Sequence, residues 1–293
     1  MPFYLIYTII FLLSGCTLNE AQTPIANNQL AITEKTTNST PIKITYGEDP
    51  NQFGELRIPE GDSLYPVIVI LHGGCWQSIY DKSLMDAMAE DLTNRGYATW
   101  NLEYRRIGNG GGWPNTFLDV ATGFKKLTDL ANTYPIDLQK ILITGHSAGG
   151  HLALWLGAQN QLPDSSEIKT IDLPKIKGIV SLAGITDLET YLAPSGCGSS
   201  VDDLIGGSPN QFPERYFAGS PISFVPLCLP QVLINGEEDQ IVPISHISPY
   251  YEMSVAAKDK IKLVTIPNAG HFEVITPGSN AWEAIIQAFA DLL

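Results

Sequence analysis

The chain has 293 residues, 17 of them Lys or Arg against 31 Asp or Glu, and a formal net charge of -14 at pH 7. A surface that acidic repels nucleic acid and anionic lipid, so no partner held by positive patches is expected. The length suits one large core better than two separate domains.

The first element is an apolar run from Phe3 to Leu13, closed by Leu13-Ser14-Gly15-Cys16. Small residues ahead of a cysteine resemble the lipobox of bacterial lipoproteins, which implies a signal segment over 1–16, a lipid on Cys16, and an exported protein of the cell envelope, facing the periplasm or the outer surface. The run is too short to span a bilayer. A cleaved secretory peptide, a membrane anchor and a buried first strand are its other readings. Only the terminal amine supplies positive charge ahead of it. Residues 17–40 are rich in Asn, Thr, Gln and Ala without periodicity, and read as a flexible spacer.

Beyond the spacer, short β-rich runs alternate with longer amphipathic stretches. Strands are expected at 42–46, 54–58, 66–71, 98–102, 141–144, 179–182, 231–234 and 262–266, and helices at 82–95, 116–133, 148–159, 247–258 and 280–293. Runs such as Val67-Ile68-Val69-Ile70-Leu71 are apolar throughout, as strands buried on both faces of a parallel sheet must be. The expectation is therefore an α/β fold over 41–293: a mostly parallel eight-stranded sheet, helices on both faces, and a ligand crevice at the strand carboxyl ends. The stretch 187–226, with its Gly, Pro and Cys, reads as an irregular cap that would help to form the binding pocket.

In chain order the first motif is Leu71-His72-Gly73-Gly74-Cys75-Trp76. It is similar to the HGG loops whose backbone N–H groups bind an oxyanion. Gly73, Gly74 and Cys75 form that loop here, Gly74 or Cys75 would donate together with Ala148, and Cys75 stands where a fuller pattern has a third glycine. His72 precedes the nucleophile and reads as structural.

The second motif is Ile141-Leu142-Ile143-Thr144-Gly145-His146-Ser147-Ala148-Gly149-Gly150: a buried strand, then G-x-S-x-G, then an apolar helix. That context holds a serine on a tight strand-to-helix elbow with its hydroxyl exposed and a helix N-terminus behind it. A Gly-rich connection with an N-cap serine is the plainer alternative. Ser147 is the candidate nucleophile.

After the penultimate strand come Glu237-Glu238-Asp239, and Asp239 is the candidate orienting acid, with Asp187 a weaker rival. After the last strand, Gly270-His271 supplies the candidate base. Of five histidines, His271 alone follows that strand, while His146, His151 and His246 read as structural or supporting. Trp76, His146 and Trp113 are the candidate substrate-binding residues. Cys197 and Cys228 form a possible disulfide, with two free buried thiols equally open.

With His72-Gly73-Gly74, Ser147, Asp239 and His271 in that order, residues 45–293 resemble the α/β-hydrolase superfamily, in its esterase branches near the BD-FAE and kynurenine-formamidase-like hydrolases. Glu103-Tyr104-Arg105-Arg106, Gly111-Gly112-Trp113-Pro114 and Asp119 are similar to stretches of that branch. Packing and ion pairing are the default roles of Arg105, Arg106 and Trp113. The resemblance implies cleavage of small esters through an acyl-enzyme, with no metal, no organic cofactor and no protein partner. Amide, formamide or small-peptide cleavage would use the same triad, and a non-catalytic lipid-anchored binding protein is the reading of a different class.

Overall fold

Residues Val67 to Leu71 offer no polar face, so the strand they build has to be covered on both sides. In the computed structural model, which describes residues 40–191, 196–197 and 199–293, that strand is β3 (Tyr65–Leu71). Cys16, the segment 1–16 and the spacer as far as residue 39 lie outside the described residues.

Around β3 stand β1 (Ile42–Thr45), β2 (Phe53–Arg57), β4 (Ala98–Leu102), β5 (Ile136–His146), β6 (Gly178–Leu182), β7 (Gln231–Gly236) and β8 (Ile261–Ile266). Their order is β1-β2-β4-β3-β5-β6-β7-β8. The β1–β2 and β2–β4 pairs are antiparallel and all others are parallel. The chain has the expected α/β-hydrolase architecture, with eight strands among the described residues.

The period of two divides β3 between two cores. Val67, Val69 and Leu71 join Phe117, Val120 and Phe124 of α2 (Asn115–Lys125), Leu152 and Trp155 of α4 (Ala148–Gly157), and Tyr250 of α7 (Ile244–Ala256). Ile68 and Ile70 join Met88 and Leu92 of α1 (Asp86–Asn94), and Trp282, Ile285 and Phe289 of α8 (Trp282–Leu292). No helix among the described residues is long and apolar enough to cross a membrane.

Three expectations change. The helix expected over 116–133 ends early: α2 stops at Lys125, α3 is the short Leu127–Leu130, and Pro135 disfavours helix at the residue before it. Strand β5 starts five residues sooner than expected, its polar first half pairing Ile136 with Tyr65 and Asp137 with Pro66 before a register shift. The stretch 187–226 holds α5 (Ser200–Ile205), α6 (Pro213–Gly219) and a 3-10 turn at Pro221–Phe224.

The expected Cys197–Cys228 disulfide is corrected. Cys197 bonds to Cys75, with Cα atoms 5.1 Å apart, across a sequence separation of 122. Strand polarity explains it: Cys75 and Cys197 follow β3 and β6 and so lie at the carboxyl ends of parallel strands, whereas Cys228 precedes β7 at the opposite end of the sheet.

Candidate active site

Strand β5 ends at His146 and α4 begins at Ala148, leaving Ser147 alone at the corner with φ 54 and ψ -118. An L-residue holds such a conformation only where its surroundings over-determine it. Here they do. The Ser147 N–H donates to Leu182 O at 2.9 Å, and its carbonyl accepts from His151 N–H at 3.0 Å. The flanking glycines are needed for space: a Cβ on Gly145 would lie 2.2 Å from Gly149 O, and one on Gly149 would lie 2.1 Å from Leu71 O and 2.5 Å from His72 O.

Two loops from the same sheet end meet this corner. Beyond β7, Asp239 is buried, and its Oδ1 accepts the N–H groups of Ile241 at 2.8 Å and Val242 at 2.9 Å. Its Oδ2 faces His271 Nδ1 at 2.7 Å. That bond places the ring proton on Nδ1 and leaves Nε2 as an acceptor. Glu237 and Glu238 are exposed, and Asp187 is spent on Glu189 N–H and on the Thr190 hydroxyl. Of the acids considered, only Asp239 meets His271.

His146 fastens the His271 loop to the elbow, one residue from Ser147. Its Nε2–H donates to His271 O at 2.8 Å, and its ring lies 4.4 Å from that of His271. Burial first, and the neighbouring His271 second, push its pKa down to about 3, so it stays neutral. Phe272 rests edge-on against the His271 ring at 5.2 Å and is 54% exposed.

The loop after β3 presses on the elbow from the other side. A Cβ on Gly73 would lie 2.9 Å from His146 Nδ1 and 3.2 Å from Ser147 Cβ, so only glycine fits there. Gly74, Cys75 and Trp76 then run at φ 99, 54 and 55. Ala148 is the first residue of α4, where a helix leaves N–H groups without intrahelical acceptors.

Beneath this loop lies a buried polar cluster. His72 Nε2 faces Glu103 Oε1 at 3.2 Å, His72 Nδ1 faces Gly73 O at 2.7 Å, and Arg106 pairs with Glu103 Oε1. Glu103 also accepts from the N–H groups of Tyr104 and Lys82, both at 3.0 Å. Burial alone would raise its pKa, but the bond to His72 and the charges of His72 and Arg106 outweigh it and hold the carboxyl below the ordinary range. Arg105 grips Asp119 through Nε at 2.8 Å and an NH group at 2.7 Å. His72, Arg105 and Arg106 are thus the structural residues their positions suggested.

The structure places the three substrate-binding candidates as follows, Trp76 and His146 buried and Trp113 half-buried. Trp76 is 0% exposed and packs edge-on against His151 at 5.3 Å. Trp113 packs on Phe117 at 5.2 Å and donates to Glu167, and Phe117 in turn meets His151 and Trp155. Both indoles belong to an aromatic cluster against α4. His146, also buried, holds the His271 carbonyl. A hollow of about 360 Å³ opens between the loop after β6 and the start of α7, lined by Asp187, Thr190, Tyr191, Pro243, Ser245 and His246 with Pro249. Tyr191 ties it to the Asp239 loop by donating to Ile241 O at 2.8 Å. Among the described residues, no group of three or more His, Cys, Asp or Glu is arranged to hold a metal ion.

Residues 56–252 match the BD-FAE family model. Esterase LipC of Mycobacterium tuberculosis is 25% identical over 244 residues, which cover 78% of this chain and 59% of LipC. The probable isoprenylcysteine alpha-carbonyl methylesterase ICME of Oryza sativa is 25% identical over 243 residues, covering 79% and 58%. The chain therefore spans about three-fifths of the length of these curated relatives. Among solved structures, a truncated carbohydrate esterase from gut microbiota superposes with a TM-score of 0.75 at 22% identity, over 88% of this chain and 97% of that one. Esterase B from Lactobacillus Rhamnosis gives 0.74 at 20% identity, over 88% and 87%. These two likenesses are ones of fold.

Proposed function

The chain belongs to the BD-FAE family, and from that premise we propose that it is a serine hydrolase that cleaves carboxylic esters of small substrates through Ser147, His271 and Asp239. The observation that carries the proposal is the buried 2.7 Å Asp239–His271 bond beside a serine held at φ 54 on a strand-to-helix corner. The esterases among the curated relatives support the ester bond as target.

In the reaction, His271 Nε2 takes the Ser147 hydroxyl proton as Oγ attacks the ester carbonyl. The N–H of Gly74 or Cys75, with that of Ala148 at the positive end of α4, stabilises the oxyanion. Collapse expels the alcohol, which takes the proton from His271, and leaves the acyl group on Ser147. Water, deprotonated by the same imidazole, then releases the acid. Asp239 fixes the ring tautomer and stabilises the imidazolium throughout. We assign this chemistry to the cell envelope, with the protein held through lipid on Cys16. The Cys75–Cys197 disulfide supports an oxidising setting.

The test is fluorophosphonate labelling of the full chain, comparing wild type with Ser147→Ala, followed by turnover of p-nitrophenyl esters and p-nitroanilides. Labelling and ester turnover that vanish together in Ser147→Ala are expected. Preference for the anilide would shift the reading to amide cleavage. Folded wild type that takes no label would leave a binding protein on a hydrolase fold.

A further inference from the structure

Resting on that reading, we infer that the Cys75–Cys197 disulfide is a positioning device for the oxyanion loop, and that its reduction switches the hydrolase to a slow form. Residues 74–76 are consecutive in the left-handed region, at φ 99, 54 and 55. Two of the three carry side chains, for which that backbone is unfavourable, so the loop relaxes unless something outside it holds it.

Two independent contacts do so, and both lead to the same place. Cys75 is bonded to Cys197, and Gln77 Nε2 donates to Ser200 Oγ at 2.6 Å, at the first residue of α5. The loop that would donate hydrogen bonds to the oxyanion is thus strapped at positions 75 and 77 to Cys197 and Ser200 of the cap. Gln77 N–H to Gly74 O at 2.9 Å closes the turn locally, and Ile107 N–H to Trp76 O at 2.8 Å with Ser78 N–H to Ile107 O at 2.9 Å fixes its far end to the segment after β4, so the strap acts on positions 74 and 75.

Reduction by a dithiol breaks the S–S bond. Cys75 and Cys197 each gain an electron and a proton, and the reductant closes to its own cyclic disulfide. Gln77–Ser200 and the bonds to Ile107 then remain, the covalent tie at Cys75 is gone, and the donors at 74 and 75 drift from the place where negative charge develops. Loss of a donor outright costs about 10²–10³ in kcat; a loosened donor is expected to cost about tenfold. Substrate binding does not use that charge, so KM is expected to stay within about twofold.

The experiment uses the full chain, oxidised and dithiol-reduced, beside Cys197→Ser. The readings are kcat and KM for p-nitrophenyl acetate, and Ki for phenylboronic acid, whose tetrahedral adduct on Ser147 places an oxygen in the hole. Expected is a fall in kcat of about tenfold on reduction, an equal rise in Ki, recovery on reoxidation, and a Cys197→Ser enzyme that behaves as the reduced wild type does. Unchanged kcat in reduced wild type overturns the inference. So does a rise in KM alone, which would make the strap part of a substrate subsite, or activity lost in step with the near-UV circular dichroism, which would make it a brace for the whole fold. Oxidised wild type without Ser147-dependent labelling would instead sink the underlying hydrolase reading.

Discussion

His151, one helical turn beyond Ser147, offers a quantitative test of how the elbow is built. Its Nε2–H donates to Gly219 O at 2.8 Å, its Nδ1 is buried without a partner, and its ring stands edge-on to Trp76 and Phe117. A proton on Nδ1 would sit among aromatic faces with no acceptor, and burial accordingly pushes the pKa down to about 4. An unfolded histidine titrates near 6.5, so between those values the unfolded chain binds more protons than the folded one, and stability falls as pH falls. The contribution is fully present above pH ~6.5 and declines by about 1.4 kcal/mol per unit below it, or about 2 kcal/mol at pH 5. His146, pushed down to about 3, adds a similar loss. Urea unfolding of wild type and His151→Gln at pH 7.5 and 5.0 measures this, because glutamine can still donate to Gly219 O and does not titrate. Wild type should lose about 2 kcal/mol more than the variant over that interval, the groups common to both cancelling in the comparison. Equal losses would refute the account of His151 as a neutral, desolvated brace.

Asp239→Asn should lower ester kcat by about 10⁴ with the fold intact, as tautomer reversal does in serine proteases; a loss below about tenfold would remove Asp239 from the proposed triad. Gly149→Ala forces a methyl to 2.1 Å from Leu71 O, so a cost at or above the ~3 kcal/mol end of overpacking is expected, about 10 °C in Tm, and a native Tm by calorimetry would contradict the packing of the elbow on β3. Glu103→Gln leaves the Arg106 guanidinium buried without its carboxylate, which should cost about 3–5 kcal/mol in urea unfolding; a loss under ~1 kcal/mol would show that the cluster does not brace the loop.

What could be read from the chain and what could not divide along physical lines. The central strands announce themselves because burial on both faces removes every polar residue from Val67 to Leu71. The elbow does so because a serine at φ 54 needs glycines at 145 and 149, whose missing side chains make room for the carbonyls of Gly149 and Leu71. Asp239 and His271 follow from chain order, since parallel strands deliver their carboxyl-end loops to one edge. The first half of β5 stays hidden because its half-buried Asp137 and exposed Gln139 and Lys140 break the apolar pattern that marks the buried half. Trp76 misled for another reason. A bulky aromatic after an oxyanion loop suggests a pocket wall, but two successive positive φ values turn the chain there, and the ring ends fully buried against His151. No local pattern reports that.

The disulfide is legible in another way, from strand polarity and not from residue type. Pairing Cys197 with Cys228 follows from giving Cys16 to lipid and Cys75 to its glycine motif, which leaves those two over. Strand polarity disfavours it: Cys228 lies just before β7, whereas the segment bearing Cys197 leaves the carboxyl end of β6, and the two ends of a five-residue strand stand roughly 17 Å apart at ~3.3 Å per residue, beyond the ~7 Å that a disulfide tolerates. Once β3 and β6 were placed as parallel strands, Cys75 and Cys197, each following one of them, were the pair at a common edge. The same reasoning carries Gln77 to Ser200, which no residue type signals. The contacts that strap the oxyanion loop to the cap thus follow from topology first and from residue chemistry second.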